Sequence, residues 1–291
     1  MAGMKGFSQI TIVGVGLLGG SVGLAAKAAD ESVRVVGLGR RRSSLDKALA
    51  IGAIDRASLD YADALAGADL VVLASPLEAY EDNLRRMADC LPARAVLTDV
   101  GSVKGPAVRQ VARILGPKAR FVGSHPMAGG ERKGPEFARA DLFANAACIL
   151  TPTPRTSPGL TARVEQFWQS LGAVTLRMSP ARHDRAVSAV SHLPHVLAAL
   201  LVALQDQESL KVAGPGFLDT TRIASGDSQM WRQILLANRA AVLASLKRAQ
   251  GQLKRLGGLL ASDDGPGIAR YLQAAKTRRD ELVASRRARQ E

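Results

Sequence analysis

Along the first part of the chain, apolar residues come in short, nearly unbroken runs separated by polar turns. Gln9 to Val13, Val33 to Leu38, Asp69 to Ala74, Ala95 to Thr98, Phe121 to Gly123, Ala147 to Leu150 and Ala173 to Leu176 read as strands. Runs apolar at successive positions suit strands covered on both faces. Helical patterns lie between them at Ser21 to Ala29, Ala79 to Cys90, about Ala107 to Leu115, and Leu160 to Leu171. Strands alternating with helices predict an α/β fold with a doubly wound, mainly parallel sheet. From about Pro180 the pattern changes. Long Ala/Leu-rich runs, Arg182 to Leu210, Gln229 to Leu260 and Ile268 to Arg287, read as helices, and strand signals vanish. The chain is thus expected to divide into an α/β domain, residues 1–179, and an all-helical domain, residues 180–291. Helices this long and apolar rarely bury themselves alone, so the helical part predicts an intertwined homodimer.

The first strand runs into Gly14-Val15-Gly16-Leu17-Leu18-Gly19 and then a helix. Strand, G-x-G-x-x-G and helix form the dinucleotide fingerprint in its proper context. Gly14 serves the tight turn, Gly16 admits a pyrophosphate, and Gly19 lets helix and strand pack closely. The free N–H groups at the helix start face the phosphates. The α/β domain is therefore expected to be Rossmann-type. At the end of the second strand, NAD-binding proteins usually carry an acidic residue for the ribose 2′-hydroxyl. This chain reads Gly39-Arg40-Arg41-Arg42. Guanidiniums without a carboxylate favour a 2′-phosphate, so the expected cofactor is NADP in preference to NAD.

Composition narrows the class. The 291 residues are 47% hydrophobic, enough for a sizeable core. No apolar run reaches the length expected of a membrane span, and the first residues lack a secretory signal pattern. Cys90 and Cys148 are too few for a disulfide framework; both are expected as buried free thiols in a reducing cytoplasm. The net charge of +13 raises nucleic acid as a partner. Scattered arginines and an aromatic content of only 4% argue instead for small polyanionic ligands.

Candidate chemistry falls in three polar clusters. Ser102 and Lys104 follow the fourth apolar strand. Gly123-Ser124-His125-Pro126-Met127-Ala128-Gly129-Gly130-Glu131 reads as a loop at a strand end, where α/β folds keep their ligands. An imidazole there accepts a proton near neutral pH. The third cluster holds Ser191-His192-Leu193-Pro194-His195, Asp219 to Arg222, Asp227 and Trp231. His192 and His195 share a helix face, but no H-E-x-x-H pattern or flanking acid cluster points to a metal.

These motifs resemble the prephenate/arogenate dehydrogenase family, the TyrA-type or cyclohexadienyl dehydrogenases. The resemblance rests on Gly14-x-Gly16-x-x-Gly19, Asp99 to Lys104, Gly123 to Gly129, Ser191 to His195, and Asp219 to Ser225 with Met230-Trp231. It covers residues 9 to about 260, with Leu218 where members often have Arg and Arg40–Arg42 where NAD-preferring members have an acid. It implies oxidative decarboxylation of prephenate to 4-hydroxyphenylpyruvate, of arogenate to tyrosine, or of both. His125 is implied as base and Ser102 as the serine that binds the same hydroxyl and orients the histidine. Arg222 is implied to pair with a substrate carboxylate. His192, His195 and Glu131 are implied to face the substrate, and Trp231 to reach the partner subunit's site. Cofactor contacts are implied from Gly14, Gly16, Leu17, Leu18, Gly19, Ser75 and Ser102, with Arg40 and Arg41 at the ribose. Tyrosine stands as a candidate inhibitor. The remaining length leaves no room for an appended ACT-type or chorismate mutase domain. The alternatives are another dehydrogenase pairing a Rossmann with a helical domain, of the β-hydroxyacid or imine type, or a non-catalytic nucleotide sensor or nucleic-acid binder.

Overall fold

The computed structural model describes residues 6–130 and 132–287. These residues form two compact units that divide between Asn238 and Arg239.

The first unit is built on an eight-stranded sheet: β1 Gln9–Val13, β2 Arg34–Leu38, β3 Arg56–Ser58, β4 Leu70–Leu73, β5 Val96–Asp99, β6 Phe121–Pro126, β7 Ala147–Thr151 and β8 Val174–Arg177. Their order is β3-β2-β1-β4-β5-β6-β7-β8. All neighbours are parallel except β6 and β7. Side chains alternate across the sheet, so each apolar strand feeds two cores. Ile10, Ile12, Leu70, Val72 and Val96 pack on one face with Phe167 and Trp168. Val13, Val71, Leu73 and Leu97 pack on the other with Tyr80, Leu84 and Val111. The strand order turns back between β1 and β4, and ligands of such sheets bind outside the carboxyl ends at that switch point.

Four elements depart from the sequence pattern. Strand β3 and the helices Arg42–Ala50 and Tyr61–Leu65 are too short or too polar to show a periodicity. The segment read as a histidine loop is strand to Pro126, and His125 is therefore a strand residue. Its Gly, Ser and Pro resemble a turn, but antiparallel pairing with β7, from Gly123 opposite Thr151 to Pro126 opposite Cys148, keeps the backbone extended. Cys148 is buried and Cys90 only half-buried; both thiols are free.

The β5–β6 backbone ladder stops at Thr98 opposite Val122, and side chains continue it. Asp99 accepts the Ser124 N–H at 2.9 Å on one oxygen. On the other it accepts the Tyr80 hydroxyl at 2.9 Å and pairs with the Lys104 ammonium. Lys104 also donates to the Ser124 carbonyl at 2.6 Å, and both charged side chains are fully buried. Burial pushes Lys104 down, and the Asp99 charge opposes that fall. This knot fixes the strand residue just before His125.

The apolar helical run after Pro180 is one helix, Pro180–Ala203, with a π turn at Ser188–His192. Pro194 has no N–H to return to the preceding turn, a local cause of such a break. By length and composition this helix would suffice to cross a membrane, correcting the expectation that no run reaches that length. It buries His183, His192 and His195 within the first unit, whereas Val190, Leu200, Leu201 and Val202 on the same helix are exposed. The run expected from Gln229 to Leu260 is broken: helix Ser228–Ala237 ends at Asn238. In the second unit, helices Arg239–Ala261 and Gly265–Arg287 pack on each other, and Leu253, Leu260, Leu272 and Leu282 remain exposed.

Removing one partner of a buried ion pair strands the other charge. Lys104→Ala is expected to cost about 3–5 kcal/mol of unfolding free energy. Urea unfolding at pH 7 measures it, and a loss below about 1 kcal/mol would show that Asp99 does not depend on Lys104.

Candidate active site

The fingerprint glycines lie at the carboxyl end of β1, beside β4. Gly14 has φ +99°, and a Cβ there would strike the Ser75 backbone nitrogen at 2.9 Å. A Cβ on Gly16 would meet nothing within 4 Å. Gly16 caps helix Leu17–Ala29 without a side-chain hydrogen bond, and the first turn carries no acid. Open space over uncapped, positively polarised N–H groups fits the pyrophosphate of a dinucleotide. Leu17 and Leu18, in the first turn, are half-buried. Ser75 sits at the end of β4, where its hydroxyl accepts from Asn83 at 2.8 Å. Arg40 and Arg41 are exposed at the end of β2, whereas Arg42 is bonded to Asp46 at 2.8 Å.

The chain has four histidines, and all four gather in the first unit. His125 Nδ1 lies 2.9 Å from His183 Nε2, and His183 Nδ1 lies 2.8 Å from Asp184 Oδ1. Asp184 also accepts the backbone N–H groups of Lys104 and Gly105, each at 2.8 Å, at the start of helix Lys104–Ile114. Burial opposes ionisation of Asp184, but the His183 bond and these two N–H groups outweigh it and hold the carboxyl below its ordinary range. An ionised carboxylate only accepts hydrogen bonds. His183 therefore carries its proton on Nδ1 and offers the Nε2 lone pair, so His125 carries its proton on Nδ1. The Nε2 of His125 is left as an acceptor. Burial, together with the charges of Lys104, His183 and His192, keeps His125 well below the ordinary histidine range, so that lone pair is free at neutral pH.

Ser102 is half-buried just after β5, but no hydrogen bond among the described residues joins it to His125. The side chain bonded to the His125 ring is that of His183. Lys104, grouped with Ser102 on sequence, is committed to the buried knot. His192 and His195 do converge, and Trp231 joins them. The indole stacks on His195 at 3.6 Å between ring centroids and meets His192 edge-on at 6.1 Å. Within this chain Trp231 covers its own His195. Burial lowers His195, against a bond from its ring to the Ile223 backbone carbonyl, and its Nδ1 is buried without a partner among the described residues. Arg222 is exposed in the turn Arg222–Ser225, just before Asp227, which caps the next helix and pairs with Lys133 at 2.6 Å. Glu131 lies outside the described residues.

The sequence reading missed His183 and Asp184. Their signal was modest: an adjacent His-Asp pair in the first turn of a helix that begins at Ser179-Pro180, in a chain with few histidines. It also missed Asn238, whose side chain donates to the Asp184 carbonyl at 2.8 Å and contacts His192 Nδ1 at 3.1 Å.

Comparison with known proteins identifies the family. The family description of the prephenate dehydrogenase nucleotide-binding domain matches residues 22–177, and that of the prephenate dehydrogenase dimerization domain matches residues 179–274. A prephenate dehydrogenase of Bacillus subtilis (strain 168) is 33% identical over 280 residues, 94% of this chain and 76% of that protein. A cyclohexadienyl dehydrogenase of Zymomonas mobilis is 32% identical over 283 residues, 95% of this chain and 96% of that protein. The crystal structure of prephenate dehydrogenase from A. aeolicus, in complex with hydroxyphenyl propionate and NAD+, superposes with a TM-score of 0.89 at 33% identity, covering 95% of this chain and 99% of that one. The glycine fingerprint, the acceptor histidine and these matches along both parts of the chain together make this protein a member of the prephenate dehydrogenase family.

Proposed function

We propose that the protein oxidatively decarboxylates prephenate, arogenate or both, with NADP as the preferred cofactor. The observation that carries the reading is the His125–His183–Asp184 chain, which leaves one acceptor nitrogen on a neutral histidine. That acceptor takes the proton of the C4 hydroxyl. A bound nicotinamide supplies the hydride acceptor for C4. The bond from C1 to its carboxylate then breaks, its electron pair enters the ring, and carbon dioxide leaves. His125 returns its proton to the oxygen that has become phenolic, so the histidine ends as it began. Ser102 is assigned to the same hydroxyl, and Arg222 to a substrate carboxylate that its planar fork fits bidentately. His195 and His192 are assigned to the substrate side. Glu131 is proposed to face the substrate's side chain. Another Rossmann-plus-helix dehydrogenase is not favoured, because the family descriptions span both parts of this chain.

Residues 180–291 are proposed as a helical domain for substrate and dimer contacts. Exposed Val190, Leu204 and Leu236 in the first unit, and the exposed leucines of the second, suit a homodimer interface.

The deciding experiment is the initial rate of nicotinamide reduction with prephenate and arogenate, each tested with NAD and NADP. Activity with either substrate supports the reading; silence in all four mixtures, from folded protein that binds dinucleotide, would refute it. Replacing Arg40 and Arg41 by Ala should reduce the NADP-over-NAD preference about tenfold, the scale of one or two charge-assisted bonds. An unchanged ratio would remove these arginines from the ribose site.

His125→Asn is expected to lower kcat about 10²-fold or more, the usual scale for a general base. In the wild type, the acid limb of kcat/KM should lie below pH 6.5. Protonation removes the base, and the lowered pKa moves that loss to more acid pH. A limb above pH 6.5 would contradict the assignment.

Asp184→Asn keeps the side chain's shape but loses the carboxylate that sets both histidine tautomers. The expected fall in kcat is on the order of 10²–10⁴-fold, the scale seen when a triad carboxylate is made an amide. Turnover within about threefold of wild type would show that His125 does not depend on it.

A further inference from the structure

Asn238 closes helix Ser228–Ala237 and is 5% exposed. Its Nδ2 lies 2.8 Å from the Asp184 carbonyl oxygen and 3.1 Å from His192 Nδ1. A backbone carbonyl only accepts, so the atom facing it is the amide nitrogen and not its oxygen. An amide nitrogen has two hydrogens and no useful lone pair. With one hydrogen on the carbonyl, the other points at His192 Nδ1, which must then present a lone pair. The His192 proton is therefore on Nε2. Burial first, then the neighbouring His183 charge, against Asp184, pulls His192 down to about 4, so the ring is neutral at physiological pH. His192 is the last residue of the π turn and lies at 1% exposure beside Trp231.

We infer that Asn238 is a positioning residue that locks His192 as a hydrogen-bond donor through Nε2, aimed at an acceptor oxygen of the bound ligand. The two site histidines then have opposite polarity. His125 presents a lone pair because the Asp184 carboxylate acts through His183. His192 presents an N–H because the Asp184 carbonyl orients Asn238. One residue thus supplies both anchors, its side chain to one histidine and its backbone to the other. The acceptor is a carboxylate oxygen of the substrate or a carboxamide oxygen of the cofactor, which share this chemistry. The ligand-facing part of the inference rests on the activity proposed above; the tautomer assignment does not.

The test uses the full chain labelled with ¹⁵N-histidine. Long-range ¹H–¹⁵N spectra report which ring nitrogen carries the proton, and His192→Gln identifies the His192 signals. The expected wild-type pattern is Nε2 protonated and Nδ1 bare. Asn238→Asp offers only acceptors to the ring, so it should bring a proton to Nδ1. A wild-type spectrum with Nδ1 protonated overturns the inference without any variant, and so does an unchanged pattern in Asn238→Asp. In steady-state assays, Asn238→Asp should raise one KM about tenfold, the worth of one hydrogen bond, with kcat within about threefold. A raised substrate KM identifies the substrate oxygen, and a raised cofactor KM the carboxamide. Both unchanged would overturn the donor role. An inactive wild type with the expected tautomer would sink the proposed activity and leave the Asn238 assignment standing.

Discussion

The site depends on the Asp184 carboxylate. Its two oxygens take the first N–H groups of helix Lys104–Ile114 and the ring of His183. A carboxylate at a helix start satisfies orphan donors and meets the positive end of the dipole, worth about 0.5–2 kcal/mol as a cap. That cap ties helix Pro180–Ala203 to the helix following β5. It also sets the chemistry, because a side chain that only accepts dictates where every proton down the line must lie. Without the charge, the His183–His125 pair has no reason to prefer the tautomer that leaves an acceptor nitrogen on His125.

A second constraint lies one layer deeper. The ladder between β5 and β6 gives out just where β6 must carry His125 forward, and Asp99, Lys104 and Tyr80 replace the missing backbone bonds. Taking two charges out of water is costly, and such pairs often add little net stability. What this one adds is position. The Ser124 N–H and carbonyl are each held by a buried charged group, so the next residue cannot shift without breaking one of them. The Trp168 indole bonds the Ser124 hydroxyl at 2.9 Å and links the same point to the packed core. The strand that bears the base is rigid for electrostatic and steric reasons together.

Polarity, more than the mere presence of histidines, organises the chemistry. An oxidation that begins by removing a hydroxyl proton needs one group that accepts and others that hold the remaining oxygens by donating. Burial keeps His125 and His192 neutral, and neutral imidazole has one nitrogen of each kind. Which nitrogen is which follows from a neighbour: an acceptor-only carboxylate through His183, or a donor-only amide nitrogen from Asn238. Similar rings a short distance apart are thereby given opposite work.

Much of this was legible along the chain. Period and run length gave most strands of a two-faced parallel sheet, and the glycine fingerprint located the dinucleotide turn because tight backbone approach excludes other residues there. The motifs around His125, His192, His195 and Arg222 pointed to the family. Short elements such as β3 escaped because three residues carry no period. His125 was assigned to a loop because Gly-Ser-His-Pro favours a turn locally, and only pairing with β7 made it a strand. His183, Asp184 and Asn238 stood unremarked because their roles rest on contacts across 58 residues and 54 residues of chain, invisible to any local pattern. Sequence by itself determined which residue types were available and which segments would be strand or helix, since propensity and periodicity are local. Tertiary structure alone decided which imidazole nitrogen carries a proton, since that is fixed by whichever donor or acceptor folding brings against the ring.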